Sequence, residues 1–461
     1  MSKQPYKTPR PTVAEKIGVW AAGIEAATLP AATQAAARRL LLDQVGLCVA
    51  ARKADFVDAL MKTALSEGTT TAIGHSRPLN PYDAALINGT AAHGEDFDDT
   101  FEGGPIHAGS AVVPACLALA EHRGLDGHAM TKGIVVGAEI SCRGSTVSPM
   151  AIHRAGFHPS GVVCALGAAA GAAAMLGLDS DRIAKAMGIA GSFASGIIEY
   201  LSDGSWTKRF HPGWAAQSGV RAALLAEAGF TGPLSVIEGP HGFFKAFAPS
   251  REPNFGALLD DLGAHYVVDG IAFKPLACGT MIHPNIDCML ELRADGIKPE
   301  DIESVIAHVA EGTVHRLWEP LDNKRRVQNG YVAKFSSPYC MAVGFLDGKV
   351  GFAQFDEDRA HAPDIAAMTD KISYVIDPDN PYPSRFTGRI SVTLRDGRVI
   401  SKSRPNFRGG AHLPLSDEEL TQKYRDNCRY GGWDGQQTTT VEQAIARVAA
   451  GGAVDFSAAR S

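Results

Sequence analysis

Gly161-Val-Val-Cys-Ala-Leu-Gly-Ala-Ala-Ala-Gly-Ala-Ala-Ala-Met-Leu-Gly-Leu178 contains no charged residue and is mostly alanine and glycine. It is about as long as the shortest helix that spans a bilayer. Alanine and glycine gain little on transfer into lipid, whereas their small side chains let backbones approach closely. The stretch therefore reads as a helix packed on all sides at the centre of a helical domain, and no membrane association is expected.

Helix starts and stops surround it. Thr12-x-x-Glu15 is a capping box opening a helix to about Ala26, and Asn80-Pro81 supplies an N-cap and a first-turn proline. Ser110 is placed to cap a helix ending near Gly124, and Ser160 to cap the Ala/Gly helix, which stops at Gly177. Further helical runs cover about 180–195 and 213–228, and few strand-like alternations precede residue 260.

The pattern changes after about Tyr266. Ile302–Val309 alternates as a half-buried strand does, and Arg389–Leu394 with Val399–Lys402 flank Asp396-Gly397 as a hairpin. Helical runs at about 284–295 and 337–347 lie among these strands, and Ser416-x-x-Glu419 and Thr440-x-x-Gln443 read as capping boxes of closing helices. The expected fold is mainly α: a large all-helical domain (1–268 and 410–461) with a smaller α+β lid domain (269–409) inserted before the C-terminal helices.

A chain of 461 residues exceeds the size at which one core keeps growing, which agrees with two domains. With 45% hydrophobic and 20% charged residues it has an ordinary globular composition, and its net charge of -6, without a basic run, argues against nucleic acid. Eight scattered cysteines without a Cys-x-x-Cys pair read as reduced, buried thiols. The polar segment Met1 to Arg10 lacks an apolar core, so no secretory signal and a cytoplasmic location are expected.

The chemistry is concentrated in Asn88–Ser110, where Asp96, Asp98, Asp99, Thr100 and His107 fall on a Gly-rich loop between helical patterns. Taken alone, the cluster reads either as an acid/base or metal site or as a solvated acidic turn. No dinucleotide fingerprint, P-loop, nucleophile elbow, His-Glu-x-x-His or short zinc-ligand cluster is present. Carboxylates 96, 98 and 99 could hold Mg²⁺, but the nearby cations argue otherwise, so neither a metal nor a cofactor is expected. Lys208, Arg209 and Lys274 are the cations suited to neutralising the carboxylates of a small acidic substrate. His107 and His158 titrate near neutrality and suit proton transfer. Tyr339 opens a helix-like run, which places its hydroxyl near a helix N-terminus.

These segments recur in a recognisable order: Asp96-Phe97-Asp98-Asp99-Thr100 with Ile106-His107-Ala108-Gly109-Ser110; Gly156-Phe157-His158-Pro159-Ser160; Asp203 through Ala216; Phe273-Lys274-Pro275 with His283-Pro284; and Lys334-Phe335-Ser336-Ser337-Pro338-Tyr339. The set resembles the MmgE/PrpD family of 2-methylcitrate dehydratases, cis-aconitate decarboxylases and iminodisuccinate epimerases, from about Val13 to about Ala450. The resemblance implies a catalytic set of His107, His158, Lys208 and Tyr339, with Asp96, Thr100, Arg209, Lys274 and His283 binding substrate. His211 and His241 lie in family-like segments and are assigned no role. Ala108 stands where the family pattern has proline, one extra residue separates Thr100 from His107, and the segment Lys274 to His283 is less polar than in dehydratases.

The implied function is a cofactor-independent lyase, a dehydratase or decarboxylase, acting on a small di- or tricarboxylic acid through proton abstraction next to a carboxylate. An epimerase of an amino- or imino-dicarboxylate such as iminodisuccinate is the alternative, and a non-catalytic carboxylate-binding protein a third reading. A homodimer joined through the Ala/Gly-rich helices is expected.

Overall fold

The computed structural model describes residues 10–461, so the polar segment Met1 to Arg10 lies almost wholly outside the described residues. The chain forms two compact units. The first comprises the described residues up to Gly94, Asp98–Ile271 and Asp417–Ser461; the second comprises Glu95–Phe97 and Ala272–Ser416. The units change over at 271/272 and 416/417 instead of 268/269 and 409/410, and the second unit includes three residues of the acidic loop.

The first unit is a helical assembly: α1 (Val13–Ala22), α2 (Ala31–Ala51), α3 (Pro81–His93), α4 (Gly109–Arg123), α5 (Gly127–Val147), α6 (Pro159–Met175), α7 (Ser180–Gly191), α8 (Thr207–Glu227), and after the second unit α11 (Asp417–Tyr430) and α12 (Gly435–Ala449). It is not purely helical, because Glu67–Thr70 forms a short strand bridged to Leu79. Every residue of α6 is buried, and the helix packs against α4, α5, α7 and α8. Its glycines explain the close packing. A Cβ on Gly171 would lie 2.4 Å from the Gly133 carbonyl of α5, and one on Gly167 2.0 Å from the Ser141 hydroxyl. The C-terminal helix α11 lies on α2, where the buried Lys423 ammonium is 2.7 Å from Asp43.

Several caps follow the sequence and others do not. The Thr12/Glu15 capping box and the Asn80 N-cap are formed. Ser110 and Ser160 are not caps: α4 starts at Gly109 after Ala108, and α6 is capped by His158. Both serine hydroxyls instead meet site residues. Thr440 lies inside α12, whose cap is Asp434, and α8 begins at Thr207, so Lys208 and Arg209 stand on its first turn instead of a preceding turn.

In the second unit a four-stranded sheet runs in the order β2 (Ile372–Ile376), β1 (Ile302–Val309), β3 (Gly388–Leu394), β4 (Val399–Arg404). The β1–β2 pair is parallel, and the β1–β3 and β3–β4 pairs are antiparallel. Asp396-Gly397 turns the β3–β4 hairpin, with Gly397 at φ 88°. Helix α9 (His283–Ala294) packs on β3 and β4 and against α10 (Ser337–Asp347).

All eight cysteines are buried free thiols. Among the described residues no helix is long and apolar enough to cross a membrane.

The close approach of α6 to α5 gives a direct test. Gly171→Ala drives a methyl into a backbone carbonyl that cannot rotate away, and overpacking of this kind costs about 1–3 kcal/mol. The urea midpoint of the variant should fall accordingly; an unchanged midpoint would mean that α5 and α6 are not in such close contact.

Candidate active site

Asp98 is the centre of the first unit's polar cluster. It is fully buried between the end of α3 and the start of α4. Its Oδ2 accepts a hydrogen bond from the Ser110 hydroxyl and faces the His93 Nδ1 at 2.7 Å, and its Oδ1 lies 3.2 Å from the His107 Nδ1. Burial alone would raise its pKa, but His107 and His93, through their charge and hydrogen bonds, hold it well below the usual carboxylate range.

The tautomer of His107 follows from its second partner. Its Nδ1 is 2.7 Å from the Asp99 backbone carbonyl, which can only accept. Nδ1 therefore carries the proton, and Nε2 is left with a lone pair. The His107 backbone N–H donates to the Ser160 hydroxyl at 3.1 Å, which fixes the loop against α6. His93 is the last residue of α3, and its Nδ1 faces an ionised acceptor, so it too carries its proton on Nδ1. The buried Nε2 of His93 has no hydrogen-bond partner among the described residues.

Asp99 titrates in the opposite direction from its neighbour. Its carboxylate accepts from the Gln44 side chain of α2 at 3.0 Å and from the Gly109 backbone N–H at 3.1 Å. Burial, reinforced by the charge of Asp98, pushes its pKa up to about 7. A side chain at position 109 would place its Cβ 2.3 Å from the Asp99 carboxylate, so only glycine fits there. Two adjacent carboxylates with pKa values driven apart are a common acid/base arrangement.

His158 caps α6, and its backbone N–H donates to the Gly196 carbonyl at 2.8 Å, where Phe157 and Ile197 form a bridge. Its Nδ1 is 3.2 Å from the Nδ1 of His211 on α8. Ring centroids connect the group: His93 to His107 4.9 Å, His93 to His158 5.4 Å, and His158 to His211 5.3 Å. Burial lowers the pKa of His93 to about 4 and of His211 to about 4, and that of His158 well below its ordinary value. The ammonium of Lys208, on the first turn of α8, pushes all three in the same direction. At neutral pH these three imidazoles are uncharged.

Among the described residues, His93, Asp98 and His107 form the one group whose ligand atoms lie close enough to hold a metal ion, within 4.8 Å of one another. The nitrogens nearest Asp98 are the two Nδ1 atoms, and both are committed as donors. A protonated imidazole nitrogen has no lone pair for a metal, so the donor set as arranged does not fit one.

The remaining expected residues are placed as follows. Thr100 is buried beside Asp99 in the first unit. The Arg209 guanidinium, expected to bind substrate, lies over the Phe56 ring at 4.4 Å. In the second unit the buried Lys274 ammonium is 2.9 Å from the Asp96 carbonyl and 3.4 Å from its carboxylate, and Asp96 adopts a left-handed φ of 56°. The His283 Nε2 meets the Cys278 carbonyl at 3.1 Å, and the ring packs on Phe407. Tyr339 stands in the first turn of α10, fully buried, and donates its hydroxyl to the Gln354 carbonyl; burial raises its pKa.

Sequence reading passed over His93 and Lys334, placed Asp98 and Asp99 in the acidic cluster without assigning them to the catalytic or binding set, and gave His211 no role. Lys334 is buried, 3.0 Å from the Glu95 carbonyl and 4.6 Å from the centre of the Phe355 ring. His93 had a readable signal, since it ends the helix that feeds the acidic loop. His211 had none beyond its aromatic surroundings.

Comparison with known proteins bears on the chain as a whole. The family model for the MmgE/PrpD N-terminal domain matches residues 15–256, and that for the MmgE/PrpD C-terminal domain matches residues 276–447. The chain is 29% identical over 413 residues to a cis-aconitate decarboxylase of Mus musculus, covering 85% of this chain and 81% of the relative. It is 30% identical over 391 residues to that of Homo sapiens, covering 80% and 76%. A 2-methylcitrate dehydratase of Escherichia coli (strain K12) is 23% identical over 291 residues, covering 60% and 59%.

The buried histidines make stability depend on pH. Unfolded histidine titrates near 6.5, so between about 4 and 6.5 the unfolded chain binds protons that folded His93, His158 and His211 refuse, and stability falls as pH falls through that window. Asp99 opposes them, because its raised folded pKa favours the folded state on acidification. Within this cluster the three histidines therefore lose stability on acidification while Asp99 gains it. His211→Asn should flatten the slope by up to about 1.4 kcal/mol per pH unit, read from urea midpoints at pH 7 and pH 5. Parallel slopes in variant and wild type would contradict a neutral, buried His211.

Proposed function

The chain belongs to the MmgE/PrpD family, and on that premise we propose that it is a cofactor-independent lyase that splits a small di- or tricarboxylic acid, with decarboxylation as its main reaction. At family level it is a lyase for carboxylic acids. Decarboxylation is favoured over dehydration because similarity to the two decarboxylases covers 85% and 80% of the chain, against 60% for the dehydratase. The observation that carries the mechanistic reading is the Asp98-centred cluster, in which one buried carboxylate orients His107 with a bare Nε2.

In this reading Lys208 pairs with a substrate carboxylate. The C–C bond to the departing carboxylate breaks, carbon dioxide leaves, and the electron pair stays on the substrate as an enolate-like anion. The bare Nε2 of His107 takes a proton from water and delivers it to that carbon, and Asp98 stabilises the imidazolium while it carries charge. In dehydration the same Nε2 would instead remove the proton next to the carboxylate. His158 contributes a neutral imidazole facing the developing charge. A homodimer joined through the helical unit belongs to the same proposal, and light scattering should return the mass of two chains.

Incubation with cis-aconitate and with 2-methylcitrate in D₂O should give a product short of carbon dioxide and carrying solvent deuterium. Loss of water alone would favour dehydration, and deuterium exchange without mass loss an epimerase. Chelation with EDTA should leave turnover intact. His107→Asn should lower kcat by roughly 10²–10⁴ with little change in KM. Lys208→Ala should mainly raise KM, since a carboxylate would be left unpaired in a partly dry pocket. Near wild-type turnover in His107→Asn would remove that residue from the mechanism.

A further inference from the structure

The Nδ1 atoms of His158 and His211 face each other at 3.2 Å, and both side chains are buried. Two N–H groups would collide and two lone pairs would repel, so this contact requires one proton between the two atoms. One histidine is the Nδ1–H donor and the other the acceptor, and a neutral imidazole that accepts at Nδ1 carries its own proton on Nε2. The tautomer of each ring is thus fixed by the other. The His211 ring has little room to slip. A Cβ at Gly161 would lie 3.1 Å from the His211 Cβ, and one at Gly196 3.0 Å from the His211 Cγ. Tyr200 lies against both rings, with centroids 6.2 Å and 5.9 Å away.

We propose that His211 is a positioning residue: it donates its Nδ1–H to His158 and so holds His158 in the Nε2–H tautomer, ready to donate a hydrogen bond to an anionic substrate. The direction follows from the groups around His158. His93 and His107 already carry their protons on Nδ1 and have bare Nε2 atoms. A third bare nitrogen in the cluster would repel a carboxylate or an enolate. With His211 as donor, the cluster instead combines the proton-transferring nitrogen of His107 with a neutral donor on His158, and the charge of Lys208 acts on His158. No proton need leave His158, so no imidazolate forms. The use made of that donor rests on the lyase reading above; the tautomer assignment does not.

The test is nitrogen NMR on the full-length chain labelled with ¹⁵N-histidine, with His158 assigned by the signals lost in His158→Gln. Wild type should show His158 as a single neutral Nε2–H tautomer and His211 as Nδ1–H near pH 7. In His211→Phe the His158 signals should move toward a tautomer mixture. With cis-aconitate as substrate, kcat should fall about 10- to 100-fold in His211→Phe, as for loss of one hydrogen bond to a buried group, with KM within about threefold. His211→Asn, whose amide can still donate, should recover much of that loss. A wild-type His158 in the Nδ1–H tautomer overturns the proposal even if no variant folds. So does a His211→Phe enzyme with normal kcat, or an Asn variant no better than Phe. If wild type leaves cis-aconitate untouched, decarboxylation of that acid fails, and the NMR result still decides the tautomer.

Discussion

An ionised carboxylate sealed from water must be matched by donors, and Asp98 imposes that condition on everything around it. Burying such a charge costs several kcal/mol unless hydrogen bonds replace the lost water. Three groups face it here: the Ser110 hydroxyl and the His93 Nδ1 as donors, and the His107 Nδ1 at 3.2 Å. Each comes from a different piece of chain, namely the first turn of α4, the last turn of α3 and the loop between them. The requirement sets the His93 tautomer, and the Asp99 carbonyl beside it determines which nitrogen of His107 is free to react. The Asp98 charge also adds to the rise that burial causes in the Asp99 pKa, because a second charge beside a buried first one is disfavoured.

Small residues make that arrangement reachable. Glycine and alanine along α5, α6 and α8 allow these helices to pack with backbones nearly touching, as at Gly171 against Gly133 and Gly219 against Ala168. Such packing brings the N-terminus of α6, with His158, against the early turns of α8, with Lys208 and His211. Bulkier helices would hold the two imidazoles beyond hydrogen-bond distance. The same dryness that close packing provides keeps the histidines uncharged at neutral pH.

The second unit applies the same rule with the charge signs reversed. Two buried ammonium groups, Lys274 and Lys334, are satisfied by the Asp96 and Glu95 carbonyls and lie 3.4 Å and 3.2 Å from the carboxylates of those residues. Phe97 packs edge-on against Phe352. These contacts explain why Glu95–Phe97 groups with residues far along the chain, and they hold Asp96 in its left-handed conformation.

Periodicity and turn chemistry were enough to read the helical first unit, the strand at Ile302–Val309, the Asp396-Gly397 hairpin and the Thr12 and Asn80 caps, because those signals come from neighbours a few residues apart. The ordered motifs drew attention to His107 and His158, whose ring centroids the fold brings within 6.5 Å of each other. What local pattern could not reveal was how polar groups pair over long separations. Ser110 and Ser160 looked like caps because a serine before a helix usually is one; only the fold shows their hydroxyls meeting Asp98 and the His107 N–H. His93 looked like one more helix residue until Asp98 closed onto it, and His211 gained a partner fifty-three positions away. Arg209 reads in sequence as a substrate cation, and only the fold shows its guanidinium over the Phe56 ring. A sequence states which groups can donate or accept, but burial decides which of them must find each other, and burial exists only once the chain has folded.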